Sequence, residues 1–319
     1  MNFLRVKLII IVSLLSVNIL LGVLCVRLYY DRSYISEEET SYASEHLAKN
    51  GIAVSFDAEQ RRIYSLPVYT AEADEKSLFE IYKKIAESFF DREISPAAYV
   101  TTPTGYSVTV KKNGGEHMGT ALLSGEMSVE CIKEDKVSGI STEILSKNIG
   151  YFSDRLYHNK EAEKIAKRFA DEALGGIAPR YKLCGTAQFE GGTIAFFAPE
   201  LSEILVYDLY MNVYIRDSEV VYCSGNFISE NPQKAYSIDL IDAVDAVYLL
   251  ASNSDVGEIT ASGGRVAVQS ALMNYKLFEY EQNRYYIIPS WHISYSINGG
   301  EKKIIAFDAV VGESTYIPF

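Results

Sequence analysis

Residues 74–90 read DEKSLFEIYKKIAESFF, and within them Leu78, Ile81, Tyr82, Ile85 and Phe89 recur at the spacing of one helix face. The pattern predicts an amphipathic helix that stops before Ser95-Pro96. Four short apolar segments follow, at 98–101, 106–111, 118–123 and 127–132, divided by Gly, Asn and Ser turns, and they read as strands. The same order recurs twice. Asn159 caps a second helical pattern carrying Ala162, Ile165, Ala166, Phe169 and Ala173, stopped by Gly175-Gly176 and followed by strands through Cys223. Ser237 opens a third with Ile241, Val244, Val247, Tyr248 and Ala251, followed by strands at 266–268, 285–297 and 303–310. Helix starts about 80 residues apart indicate repeated supersecondary units rather than a short-period solenoid. Strands that follow one another through short turns pair antiparallel, so the expected class is α+β, with tandem units of a helix and an antiparallel sheet and the helices on one face.

Ahead of these units, residues 8–26 form a near-unbroken apolar run preceded by Arg5 and Lys7. Nineteen helical residues rise roughly 28 Å, close to the ~30 Å of a bilayer core, which predicts a single membrane-spanning helix. Bulky residues on its exit side, around Leu24 and Val26, disfavour signal cleavage, and Leu24 directly before Cys25 disfavours a lipobox. Basic residues flank both ends, with Arg27 and Arg32 on the far side. The short basic start favours the amino terminus inside and the body outside the cell membrane. Ser36 and Glu39 have capping-box spacing for a helix ending at Asn50-Gly51, and two strand candidates follow at 53–56 and 62–68, the second placed at an edge by Pro67. The expected division is a cytoplasmic tail at 1–7, a membrane helix at 8–29, and extracytoplasmic α+β domains at 30–153 and 154–319, the latter with a possible break near 235.

A hydrophobic content of 48% with 23% charged residues supports a folded body. The net charge is −12, and because Arg5, Lys7, Arg27 and Arg32 outweigh Asp31 in the first 32 residues, the remainder lies near −15. Nucleic acid and anionic lipid headgroups are poor partners for such a surface. The four cysteines, Cys25, Cys131, Cys184 and Cys223, have no paired spacing of the zinc type. Cys184 and Cys223 could pair in an oxidising compartment, and buried free thiols are the simpler expectation.

The chain carries no H-E-x-x-H, G-x-S-x-G or phosphate-binding loop, and its histidines His46, His117, His158 and His292 are scattered. The strand over 285–297 alternates Trp291, Ile293 and Tyr295 with His292, Ser294 and Ser296, placing His292 on the polar side, before an Asn298-Gly299 turn. An exposed structural histidine is the simpler reading than a proton shuttle. Glu37, Glu38 and Glu39 suit the first turn of a helix. The twenty-four tyrosines, among them Tyr207, Tyr210, Tyr214, Tyr280 and Tyr286, suit half-buried sheet faces or an interface. In the apolar run, Asn18, Gly22 and Cys25 share one helix face; an asparagine there can bond its own helix backbone, and the cost of a polar amide in lipid beside small residues favours contact with partner helices.

The Asn-Ile-Leu-Leu-Gly stretch at 18–22, the Ile-Ser-Glu-Glu-Glu helix start at 35–39, Tyr-Ile-Ile-Pro-Ser-Trp-His-Ile at 286–293 and Asp-Ala-Val-Val-Gly-Glu at 308–313 together resemble the YycI-type regulatory proteins of the YycH/YycI superfamily. PepSY-like domains end in a similar Asp-Ala-x-x-Gly. The resemblance implies a single-pass accessory protein that controls a cell-wall-sensing histidine kinase of a two-component system together with a YycH-type membrane partner. It implies no enzyme activity, no cofactor and no metal. A PepSY-like module acting on a secreted protease or wall component is the alternative expectation.

Overall fold

The computed structural model describes residues 18–22, 36–55, 65–111, 117–124, 127–137, 145, 158–176, 180–206, 208–300 and 302–309. They fall into two compact units: one of residues 1–65, 239–272 and 291–319, the other of 66–238 and 273–290. The chain passes between the units four times, at 65–66, 238–239, 272–273 and 290–291, each time inside a strand. One boundary lies close to the break expected near 235, but no boundary lies at 153–154.

The larger unit shows why. Its helices are α2 (Glu75–Phe90) and α3 (Lys160–Leu174), α1 belonging to the other unit. Between and after them come β3 (Val100–Thr102), β4 (Gly105–Lys111), β5 (His117–Ser124), β6 (Ser128–Ile132), β7 (Tyr181–Phe189), β8 (Gly192–Leu201), β9 (Ile204–Leu205), β10 (Tyr210–Arg216) and β11 (Glu219–Asn226). These strands form one sheet in the order β3-β4-β5-β6-β11-β10-β8-β7, with β9 on β8. The strands after the first helix and those after the second join where β6 pairs antiparallel with β11, Cys131 opposite Cys223. Two helix-plus-strand runs that looked like separate sheets therefore share a single core.

Both helices begin on side-chain caps. Asp74 accepts from the Ser77 amide at 2.9 Å, and Asn159 accepts from Ala162 at 3.3 Å. The α2 face predicted by spacing is buried, with Ala86 and Phe90 added to it, and α2 ends at Asp91, whose φ of +50° stops the helix. The α3 face is mostly alanine with Phe169, which lets it lie close to α2; Phe89 and Phe169 meet edge-on at 6.4 Å. Both helices cover one face of the sheet, packing on Val108, Ala121, Cys131, Met211, Val213 and Cys223. The other face is a second core of Ile194, Phe196, Tyr210, Tyr214 and Tyr222 closed over by Val137 and Leu145. Buried Asn212 and Ser224 both donate to the Leu145 carbonyl, at 3.0 and 3.1 Å.

In the same unit, β2 (Ser65–Glu72) pairs antiparallel with the start of β14 (Arg284–Ile297), Arg284 opposite Glu72, and has β12 (Gln233–Asp239) on its other side. β2 is thus not an edge strand. Pro67 is tolerated because its ladder with β14 runs from Tyr69 to Glu72, past the missing amide, and the Pro67 carbonyl accepts from Tyr275 at 2.9 Å.

The smaller unit begins with α1 (Glu37–Lys49), where the capping box forms: the Glu39 amide donates to Ser36 Oγ at 3.2 Å and the Ser36 amide to Glu39 Oε2 at 2.9 Å. Its C-cap at Asn50 leads into β1 (Ile52–Val54), which pairs parallel with β13 (Val266–Glu281), Ile52 opposite Val266. This parallel pair departs from the all-antiparallel expectation: the partner of β1 comes from more than 200 residues downstream, Ile52 lying opposite Val266. The third helix starts later than Ser237, which lies in β12: Asp242 caps α4 (Ala243–Ala251), and Asn253 caps a further helix, α5 (Ser254–Ala261). α1 meets α4 through His46 and Tyr248, ring centres 5.8 Å apart.

His292 is not exposed. It is 4% accessible, and Ser294 and Ser296 beside it are buried as well. The later part of β14 lies between β13 and β15 (Lys302–Asp308) and is covered on both faces, so alternation of residue type does not mark a wet side. Trp291 donates to the Ile241 carbonyl at 3.0 Å on one face, and Ser294 bonds Ser270 at 2.6 Å on the other.

Candidate binding groove

The start of α2 is fixed by a chain of short local bonds. The Ala73 amide donates to the Asn283 carbonyl at 2.8 Å, tying the residue before the cap to the β13–β14 turn. The Asp74 amide donates to Ser229 Oγ at 2.8 Å, and that hydroxyl donates to the Glu72 carbonyl at 2.8 Å. Ser77 supplies both amide and hydroxyl to the Asp74 carboxylate, which holds Asp74 below the usual aspartate range. The first turn of α2 is thereby tied to the β13–β14 turn and to Ser229, and the β3–β4 hairpin lies across from it.

Between them runs a groove of about 460 Å³, lined by α2, the β3–β4 hairpin, Leu123 and the turn at Gln282-Asn283. Such a volume lies within the range of small-ligand sites, ~300–1,000 Å³. Its floor is Ala73, Leu78, Tyr82 and Leu123, all buried. Its wall is Phe79, half-buried, whose ring meets Tyr99 at 5.1 Å and Tyr106 at 5.0 Å in edge-on contacts. The Tyr106 hydroxyl donates to Glu75 Oε1 at 3.2 Å, a bond that raises the Tyr106 pKa, and Glu75 is the charged residue of the lining. Tyr82 is 3% accessible, and its hydroxyl has no hydrogen-bond partner among the described residues; burial pushes its pKa up.

The hairpin adds backbone to this wall. Thr102 and Gly105 flank the two-residue turn Pro103-Thr104 and close it as a hydrogen-bonded pair, so by alternation Thr101 opposite Tyr106 turns its amide and carbonyl away from β4. β3 ends the sheet. The groove therefore combines an aromatic wall, a carboxylate and an open strand edge.

A second charged cluster, around Lys133, is satisfied internally. Lys133, mostly buried, donates to Glu219 at 2.9 Å and to the Val220 carbonyl at 3.0 Å, and lies 5.0 Å over the Phe89 ring. This network holds Glu219 below the usual glutamate range. Among the described residues no group of three or more His, Cys, Asp or Glu is placed to hold a metal ion.

Cys184 and Cys223 do not pair. Cys223 faces the helix-covered core with Cys131, whereas Cys184 packs against the opposite core, and two strands, β8 and β10, separate theirs. All three are free thiols; burial raises each pKa, that of Cys184 to about 11.

Of the residues expected to meet partner helices, Asn18 and Gly22 lie in a helical stretch, 18–22, whose Ile19, Leu20 and Leu21 are 61%, 64% and 52% accessible. A Cβ added at Gly22 would meet nothing within 4 Å. Cys25 and most of the apolar run lie outside the described residues, and among the described residues no helix is long and apolar enough to cross a membrane. The groove residues were not singled out by sequence. The available signal was Phe79, an aromatic one position off the buried stripe of α2.

No protein-family model matches this chain, and no curated protein matches it. Solved structures similar at low identity include the following two. An uncharacterized protein from Eubacterium rectale is 11% identical with a TM-score of 0.49, covering 84% of this chain and 91% of its own. The YpeB C-terminal domain of Bacillus megaterium is 12% identical with a TM-score of 0.37, covering 76% of this chain and 96% of its own. Neither likeness carries a function over.

Proposed function

We propose that this chain is a membrane-anchored binding module that acts by protein–protein contact rather than by catalysis. The observation that carries the reading is the groove beside α2, where an aromatic wall, a carboxylate and an open strand edge converge. Exposed Ile19, Leu20 and Leu21 on a helix support the anchor, because such a surface needs lipid or another helix to cover it. In its finer form, which rests on the YycI-type resemblance, the module is an accessory regulator of a sensor histidine kinase. The kinase and a YycH-type protein are then its partners, the apolar helix lies in the bilayer with the amino terminus cytoplasmic, and Asn18, Gly22 and Cys25 face the partner helices. A tether of this kind biases a kinase that has two conformations by contacting one better than the other.

The test is crosslinking and recovery from the native membrane, comparing the intact chain with one whose 8–26 segment is replaced by an unrelated span. Recovery of a sensor kinase with the native segment alone supports the regulator. Recovery of secreted or wall proteins with either segment, and no kinase, overturns the finer form in favour of a PepSY-like binding or inhibitory module.

A further inference from the structure

We infer that the groove between α2 and the β3–β4 hairpin takes an extended peptide strand that carries a basic side chain. This inference rests on the binding-module reading and names the chemistry of its partner. The open amide and carbonyl of Thr101 suit one residue of a strand laid antiparallel or parallel to β3, the way sheet edges receive peptides. Every second side chain of such a strand points to the same side, here towards Phe79 and the buried floor of Leu78, Tyr82 and Leu123.

Charge selects the side chain. Glu75 is the charged residue of the lining, and it stands at the first turn of α2 where the helix dipole and the Tyr106 hydroxyl both favour the carboxylate. The rings of Phe79 and Tyr106 border the same space. A carboxylate next to aromatic faces binds an ammonium or guanidinium group on a stem that can lie along the rings, which describes lysine or arginine. An acidic side chain entering there would meet Glu75 and, beyond it, a strongly acidic chain.

The experiment uses the full chain in neutral detergent micelles and a fluorescein-labelled, capped pentapeptide, Val-Lys-Val-Tyr-Val, read by anisotropy, with the Lys-to-Glu peptide as comparison. Saturable binding of the lysine peptide, weakened about tenfold by Glu75→Gln, is expected, since one cation pair with ring contact contributes roughly that factor. Gln keeps an acceptor for Tyr106, so the variant should fold, and an unchanged circular dichroism spectrum checks this. Thr101→Pro removes the amide facing away from β4 and should also abolish saturable binding while the hairpin persists. Equal binding of the two peptides, no binding of either, or undiminished binding by a folded Glu75→Gln chain overturns the inference. If Glu75→Gln leaves partner recovery in the membrane crosslinking experiment intact, the groove is wrong and the binding module stands; loss of recovery in both experiments with a folded chain ties them together.

Discussion

Over its central strands β8, β10 and β11 the nine-stranded sheet is buried on both faces, yet the two are built from different chemistry. The face under α2 and α3 is hydrocarbon and thiol: Phe89, Phe90, Phe169, Cys131, Met211 and Val213. The opposite face uses tyrosines whose hydroxyls reach the rim, Tyr214 to the Phe189 and Glu190 carbonyls at 3.2 Å and Tyr222 to Glu130 at 2.8 Å, and it clamps Leu145 through its carbonyl. The helices α2 and α3 present only side chains to their face, which can be wholly apolar; on the opposite face the Leu145 carbonyl itself comes down onto the sheet, so that face must offer it donors, and Asn212 and Ser224 supply them.

Truncation should separate the faces by magnitude. Phe90→Ala empties the helix-covered face and is expected to destabilise by about 3–5 kcal/mol in urea unfolding, the range for a buried aromatic with no room to collapse. Asn212→Ala on the opposite face removes one of two donors to Leu145 and is expected to cost about 1–3 kcal/mol. A larger loss at Asn212 than at Phe90 would reverse the ranking of the two cores. Tyr222→Phe keeps the ring and removes one hydroxyl bond to a half-buried glutamate, for about 1 kcal/mol.

Thiol chemistry tests the same division. Cys184, partly accessible on the tyrosine face, should react with a maleimide ahead of buried Cys131 and Cys223, and its rate should climb as pH approaches about 11. Mild oxidation should give no Cys184–Cys223 crosslink in the folded chain; finding one by peptide mapping would place both on one face.

The smallest effect belongs to Glu219. Its pKa is lowered in the fold by Lys133, so its contribution is fully present above the unfolded glutamate value, ~4.3, and is lost as pH falls through the lower folded value. Glu219→Gln should therefore unfold slightly earlier than the parent at neutral pH, and the difference should shrink on acidification. A gap that widens in acid would contradict the Lys133 pairing.

Local elements were legible because their signals are local. The α2 stripe from Leu78 to Phe89, the Ser36–Glu39 capping box and the Asn159 cap each lie within a few residues and stand as read. Pro67 misled because an edge is a property of the sheet order, not of the proline. His292 misled because alternation in β14 distinguishes two faces without saying whether both are covered. The start of α4 slipped from Ser237 to Asp242 because β12 takes Ser237 as a strand residue beside β2.

Residue order alone settled the class, mixed α and β with helices preceding runs of short strands, since periodicity and capping act over one or two turns of chain. Long-range pairing settled the rest: β6 with β11 made one sheet of two runs, β1 with β13 made a parallel pair across 200 residues, and the meeting of Phe79 with Tyr106 and Thr101 made the groove. Those contacts are chosen by which buried surfaces fit together, and no stretch of neighbouring residues encodes that choice by itself.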